Sequence, residues 1–272
     1  MFNLHSHKHA PSQAKQSFRT LSQIGFDAFQ EETVQFMPWA LQHIKWNASL
    51  HILDCGCGAS GYLHQAIQAG LAPKNCHVID KNKTLTREIK QTWASSSSLP
   101  QIINGDHSYL PLPAASIDYA LAMHIFARLD DISACLAEIR RVLRPDGQLL
   151  VSTNSVSHLH ELTSLFSQSV KRFSGVSFQY PVCMFSRENG ENFLEYHFAN
   201  IQRYDFRHTI ACRSSRALIS FIEKQRPQLE RLLPSTLGWD LVVEDLEYQI
   251  DLQIKQTGSF RTQIKRCIFL CS

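Results

Sequence analysis

No run of about 18 uninterrupted apolar residues occurs in this chain of 272 residues, so no membrane-spanning helix is expected. The N-terminus, MFNLHSHKHAPSQAK, has no apolar signal core. Charge of one sign is also in short supply: 27 basic against 24 acidic residues leave a formal net charge of +3. That excess is too small to argue for a nucleic-acid partner. The basic side chains are scattered as well, at Lys45, Lys74, Lys81, Lys83, Arg140 to Arg144, Lys171, Arg172, Lys265 and Arg266, and they read as solvated faces. Cysteine is present eight times but without a disulfide framework: Cys55 and Cys57 share one turn, and the others stand singly at 76, 135, 183, 212, 267 and 271. No Cys/His spacing suits zinc. Reduced thiols in a cytoplasmic protein, with no bound metal, are the expectation. His5, His7 and His9 are expected to lie in a frayed polar tail, with metal binding as the alternative.

What is present is a core-forming amount of apolar residues, 44%, which suits one large α/β domain with additions. Residues 1–50 are expected to form an N-terminal helical cap, with Gly25 and Pro38 dividing the helical spacing of Phe18 to Ile44. From His51 to Asn154, strand and helix patterns alternate. Strands are expected at 51–54, 76–80, 101–106, 117–123 and 148–153, and helices at 61–69, 83–95 and 132–143, with a turn at Arg144-Pro145-Asp146-Gly147. Such alternation predicts a parallel sheet with helices on both faces, so ligands belong beyond the C-terminal strand ends. Asp54, Asp80, Asp106, Met123, His124, Thr153 and Asn154 all stand at those ends. Residues 155–200 are expected to form a helical substrate lid, and 201–272 the C-terminal part of the same sheet. Within that part, residues 239–256 satisfy both helical and strand spacing and are taken as a helix, and 260–271 as the closing strand.

The stretch that organises the chain is Asp54-Cys55-Gly56-Cys57-Gly58-Ala59-Ser60-Gly61. It reads as a strand end, a tight turn and a helix N-terminus, where a ligand can lie on bare backbone N–H groups. The pattern G-x-G-x-x-G serves dinucleotides as well as S-adenosylmethionine, and Asp80 suits the ribose of either. Asp54 separates the two. A carboxylate beside a pyrophosphate costs roughly several kcal/mol if desolvated, whereas beside an α-ammonium it is welcome. Asp106 in turn offers an acceptor for an adenine amine. The electrostatics favour S-adenosylmethionine.

As a set, Asp54-x-Gly56-x-Gly58-x-x-Gly61, Asp80, Gly105-Asp106, Leu110-Pro111, Ile117-Asp118 and Leu143-Arg144-Pro145-x-Gly147 resemble the class I S-adenosylmethionine-dependent methyltransferases. That resemblance covers about residues 50–154. It implies a Rossmann-like, doubly wound sheet of seven strands, mostly parallel with an antiparallel last strand. It also implies that Asp80 binds the ribose, Asp106 the adenine and the glycine turn the methionine portion. Cys57, Lys81, His107 and Met123, which flank these positions, are counted with the cofactor site. A further likeness, to a bacterial small-molecule branch (type 11-like), rests on Met123-His124-Ile125-Phe126-Ala127-Arg128, on Thr153 to Leu162 and on Phe185 to Gly190. The branch often carries a second His where Arg128 stands. His124 is the first candidate for a general base and His158 the second, each with a structural or pocket-lining role as the alternative. Glu161 either orients the cofactor or caps a helix. The function implied is O-, N- or C-methylation of a small organic acceptor. Rivals are methylation of RNA or protein, a non-catalytic S-adenosylmethionine-binding protein and a dinucleotide oxidoreductase. No motif specifies an oligomeric state.

Overall fold

The computed structural model describes residues 36–56, 61–93 and 100–272. The expected helices before Phe36 lie outside that range, as do His5, His7 and His9. The elements in order are α1 (Phe36–Leu41), β1 (Ile52–Cys55), α2 (Gly61–Gln68), β2 (Cys76–Asp80), α3 (Lys83–Trp93), β3 (Gln101–Asn104), β4 (Ile117–Met123), α4 (Ile132–Val142) and β5 (Leu143–Asn154). Then follow α5 (His160–Ser174), α6 (Gly190–Leu194), β6 (Ile201–Cys212), α7 (Arg216–Glu223), α8 (Arg226–Leu229), α9 (Trp239–Thr257) and β7 (Phe260–Cys271). Pro38 falls inside α1 rather than between two helices.

The seven strands form one sheet in the order β3-β2-β1-β4-β5-β7-β6. Strands β1 to β5 are parallel, and β7 runs antiparallel to both β5 and β6. Strand order reverses between β1 and β4, which opens a crevice at their C-terminal ends. Side chains alternate across the sheet, so each strand feeds two cores. Ile52, Val78, Leu121, Leu150 and Ile268 pack with α1, α2, α3, α5, α7 and α9 on one face. Leu53, Ile79, Ala122, Val151 and Phe269 pack with α4 and with Phe185, Leu194 and Phe198 on the other.

One stretch differs from the sequence expectation, and one that was ambiguous in sequence is settled. The turn at 144–147 is absorbed into β5 as a bulge, because pairing jumps from Ile117↔Leu143 to Tyr119↔Gln148. Arg144 reaches across to pair with Asp118. A Cβ at Gly147 would sit 2.9 Å from the Ile117 carbonyl oxygen, so the bulge closes only over glycine. In α9, Val242, Leu246 and Ile250 recur every four residues and are buried, while Tyr248 is 63% exposed. The helical period holds, and the alternating residues of this stretch simply point around the helix. Within 155–200, α5 buries Leu162, Phe166 and Val170 in the core beside α9.

Among the described residues no helix is long and apolar enough to cross a membrane, no cluster of residues suits a metal ion, and seven cysteines are free.

The run Phe185 to Gly190 anchors the end of this segment. The Thr153 hydroxyl donates to the Phe185 carbonyl at 2.8 Å, and Glu188 accepts from the Ser155 hydroxyl at 2.7 Å. Gly190 lies against buried aromatic rings: a Cβ there would meet Phe269 at 2.7 Å and Phe185 at 3.0 Å. Gly190→Ala is expected to lower stability by about 1–3 kcal/mol through overpacking. Urea unfolding measures this, and an unchanged midpoint would mean the rings yield freely.

Candidate functional site

The crevice collects the strand ends as the alternation predicts. Strand β1 finishes at Asp54 and Cys55, and the chain turns at Gly56 with φ +66°. The Gly56 N–H donates to the Ile79 carbonyl at 2.8 Å, and a Cβ on Gly56 would stand 2.2 Å from Ile125 Cγ2. The turn therefore needs glycine twice over, for its dihedral and for its clearance. Cys57 and Gly58 lie outside the described residues, and Gly61 opens α2.

Asp54 is 1% exposed, and its Oδ2 has no hydrogen-bond partner among the described residues. Burial raises its pKa to about 7, with the nearby Asp80 carboxylate as the second cause. One strand over, Asp80 is also buried and accepts the Asn82 N–H at 2.8 Å, while Lys81 is exposed. Asp106 lies on the surface beyond β3. Its Oδ1 accepts the Ser108 N–H at 2.9 Å and hydroxyl at 2.7 Å, which holds the carboxyl below its usual range. His107 is buried beside the turn, and burial lowers its pKa against the upward pull of Asp80 and Asp106.

At the other end of the crevice Met123 is buried, and His124 adopts the left-handed region with φ +57°. Its N–H is held by the Ser152 carbonyl and hydroxyl oxygens, each at 3.1 Å. His124 keeps some exposed surface, but its Nε2 is sealed, and burial lowers the imidazole pKa to about 3, followed by the Arg266 and Arg128 charges. Tyr62, in the first turn of α2, is hydrogen-bonded to Ser152 and pushed above the usual phenol range by burial. Arg266 extends from β7 onto the same face, with its guanidinium carbon 5.1 Å from the centroid of the Phe36 ring. Phe36 lies in turn 5.6 Å from His124 and 5.2 Å from Phe206, so α1 roofs this end.

His158 is placed differently from His124. Its Nδ1 accepts the Lys265 N–H at 3.2 Å, which occupies that lone pair and leaves the ring proton on Nε2. Burial holds its pKa well below the ordinary value. Glu161 accepts the Thr262 hydroxyl at 2.8 Å and the Gln263 N–H at 3.0 Å. It also accepts its own backbone N–H in the first turn of α5, so it ties the start of that helix to β7. Both residues pair the edge of β7 where β5 has ended, together with Ser155 and Leu159, whose N–H groups donate to β7 carbonyls at 2.9 and 2.8 Å.

Three residues of this end were not singled out from sequence: Tyr62, Ser152 and Arg266. Arg266 was read as a solvated charge, and the structure corrects that, since burial draws its guanidinium pKa below the ordinary arginine value. The signal was available in the period of two, because Phe260, Ile264, Arg266 and Ile268 share the inward face of β7.

A family model described as a methyltransferase domain matches residues 53–151. That match covers the parallel half of the sheet, the same stretch that resembles the class I S-adenosylmethionine-dependent methyltransferases. A malonyl-[acyl-carrier protein] O-methyltransferase of Erwinia pyrifoliae is 29% identical over 128 residues, covering 47% of this chain and 46% of the relative. One of Halalkalibacterium halodurans is 30% identical over 124 residues, covering 44% and 45%. The chain thus spans a little under half the length of these curated relatives. Among solved structures, the YcgJ protein of Bacillus subtilis aligns over 86% of this chain and 96% of its own, with TM-score 0.57 and 13% identity. Phosphoethanolamine N-methyltransferase 2 of Haemonchus contortus, bound to phosphomonomethylethanolamine and S-adenosylhomocysteine, aligns over 94% of this chain and 58% of its own, with TM-score 0.53 and 14% identity. At these identities the likeness is one of fold alone.

The cost of burying Asp54 appears in the pH dependence of stability. The folded protein holds this proton up to about pH 7, whereas an unfolded chain releases it near pH ~4. Stability is therefore expected to fall as pH rises through that window. Asp54→Asn cannot ionise and should be more stable than the wild type at pH ~8, on the order of a few kcal/mol, and similar to it at pH ~4. Urea unfolding at the two pH values measures the difference; an Asn variant less stable at the higher value would contradict the burial argument.

Proposed function

We propose that the chain transfers the methyl group of S-adenosylmethionine to a small organic acceptor. The observation that carries this is the buried Asp54 carboxyl, at the end of β1 and close to a second acid, with one oxygen unmet among the described residues. A pyrophosphate would add negative charge where two carboxylates already repel. An α-ammonium would meet the unused oxygen and favour the ionised acid. The residues present therefore fit S-adenosylmethionine. In this reading Asp54 and the turn of Gly56, Cys57, Gly58 and Gly61 take the methionine portion, Asp80 takes the ribose, and Asp106 with His107 takes the adenine. Lys81 and Met123 flank that path, and His124 lines the acceptor end. S-adenosylmethionine supplies an electrophilic methyl group on a sulfonium. The chain supplies orientation, exclusion of water and a fixed roof in Phe36.

The acceptor end is apolar around a few polar groups, which suits a small molecule. The named relatives act on a malonyl group carried by a protein, so a tethered small acceptor falls within the same proposal. The free thiols, Cys183 exposed among them, suit a reducing compartment such as the cytoplasm.

Calorimetry with S-adenosylhomocysteine tests the cofactor assignment. Asp80→Ala is expected to weaken binding by about 10-fold or more through loss of a charge-assisted bond to the ribose. Unchanged affinity would remove Asp80 from the site, and preference for NAD would overturn the cofactor assignment.

A further inference from the structure

The sheet ends at β6, and its outer edge is open. Strand β6 runs 12 residues, Ile201–Cys212, against β7 in an unbroken antiparallel register, without a bulge or a proline. Asn200 and Ser272 exchange both backbone hydrogen bonds at 2.9 Å. Narrow and wide pairs alternate along such a ladder, so the even-numbered residues of β6 turn their backbone groups toward β7. Ile201, Arg203, Asp205, Arg207, Thr209 and Ala211 turn theirs outward. Among the described residues no backbone group pairs with them on that side. The free N–H and C=O groups run along roughly 35 Å of edge, a length that invites another strand.

Charged side chains protect an edge from a second copy when they are of one sign. Here both signs are present. Arg203, Asp205 and Arg207 are exposed on one face of β6, and with Arg187, Glu188 and Glu191 they form a chain of ion pairs in which arginines and carboxylates balance. Arg207 is the least satisfied. Its side chain is 67% exposed, its carboxylate contact is a loose 3.7 Å to Asp205, and it stands opposite Lys265 of β7. A carboxylate on its open side would be favourable.

We propose that two copies of this chain pair along β6, antiparallel and in the register centred on Phe206, so that their sheets join into one. That register sets Asp205 opposite Arg207 of the second copy, Arg203 opposite its Thr209, and Ile201 opposite its Ala211. All of these are outward-turned residues, so the free groups of one edge meet those of the other. On the opposite face Tyr204 stands across from His208, and Phe206 across from its own copy at the two-fold axis. Neighbouring registers are worse. Centring on Asp205 sets that acid against itself and Arg203 against Arg207, and centring on Arg207 sets that arginine against itself. Centring on Tyr204 leaves His208 to Cys212 beyond the paired strand. Each edge is used once, so the assembly closes at two. Phe206 lies 5.2 Å from Phe36 and 5.1 Å from Trp39, so the joint adjoins the roof of each crevice.

Sedimentation velocity on the full chain across a range of concentrations tests this, with residue-resolved amide hydrogen exchange at both ends of the range. A monomer–dimer equilibrium is expected. The amides of Arg203, Asp205, Arg207 and Thr209 should be protected only where the dimer forms, and those of Tyr204 and His208 throughout. Arg207→Glu sets like charges opposite each other twice and should weaken the dimer by about 10-fold, while Arg207→Lys should stay within about 3-fold of the wild type. Thr209→Pro removes an outward N–H that β7 does not use, and should weaken the dimer by about 10-fold or more. The even-numbered amides report in the same experiment whether each variant is folded. If Thr209→Pro does not fold, Arg207→Glu and the wild-type exchange pattern still decide. A chain that is monomeric up to roughly 100 μM would overturn the proposal. So would a dimer that either folded variant leaves intact, which would place the contact on another face, or an assembly larger than two. Odd-numbered amides protected at every concentration would show the edge covered within one chain, and would overturn it as well.

Discussion

A carboxyl group buried at the end of β1, with one oxygen unmet among the described residues, is the constraint on which the site depends. Its position follows from the fold. Parallel strands deliver their C-terminal residues to one edge, and the reversal of order between β1 and β4 leaves that edge open. Gly56 lets the backbone pass close against Ile125, and Asp54 two residues before it lies out of water. Burial and the neighbouring Asp80 then make ionisation costly until a cation arrives. In the proposed reading, the cost of this geometry is relieved by a positively charged ligand.

The far end of the crevice works by the opposite charge. Here the neutral state of two histidines coexists with a desolvated guanidinium, and each fact has a structural cause. Ser152 holds the backbone of His124 and the phenol of Tyr62, while the missing continuation of β5 past Asn154 forces His158 and Glu161 to serve the β7 edge. The crevice is thus acidic where β1 and β2 end and basic where β7 passes Phe36.

The parallel half of the fold was plain in the sequence because its signals are local. Apolar runs ending in Asp54, Asp80 and Asp106, each followed by a turn or helix pattern, state both the strand and its ligand-facing end. The antiparallel extension was legible as a closing strand, and the reading of 239–256 as a helix held because burial in α9 recurs every four residues. What sequence did not reveal depends on contacts between distant segments. The parts played by His158 and Glu161 are set by backbone groups of β7 more than 100 residues away. Arg266, placed beside Lys265, looks like surface charge until the pleat of β7 is fixed by its neighbours. Gly147 looked like an ordinary turn, and only its pairing with Ile117 shows a bulge.

The central claim is that Asp54 is protonated in the ligand-free crevice and ionised against the ammonium of the bound methionine portion. Calorimetry of S-adenosylmethionine binding near pH ~6, in two buffers of different ionisation enthalpy, measures the protons exchanged. About one proton should be released on binding to the wild type and essentially none on binding to Asp54→Asn. No release from the wild type, or equal release from the variant, would contradict the account.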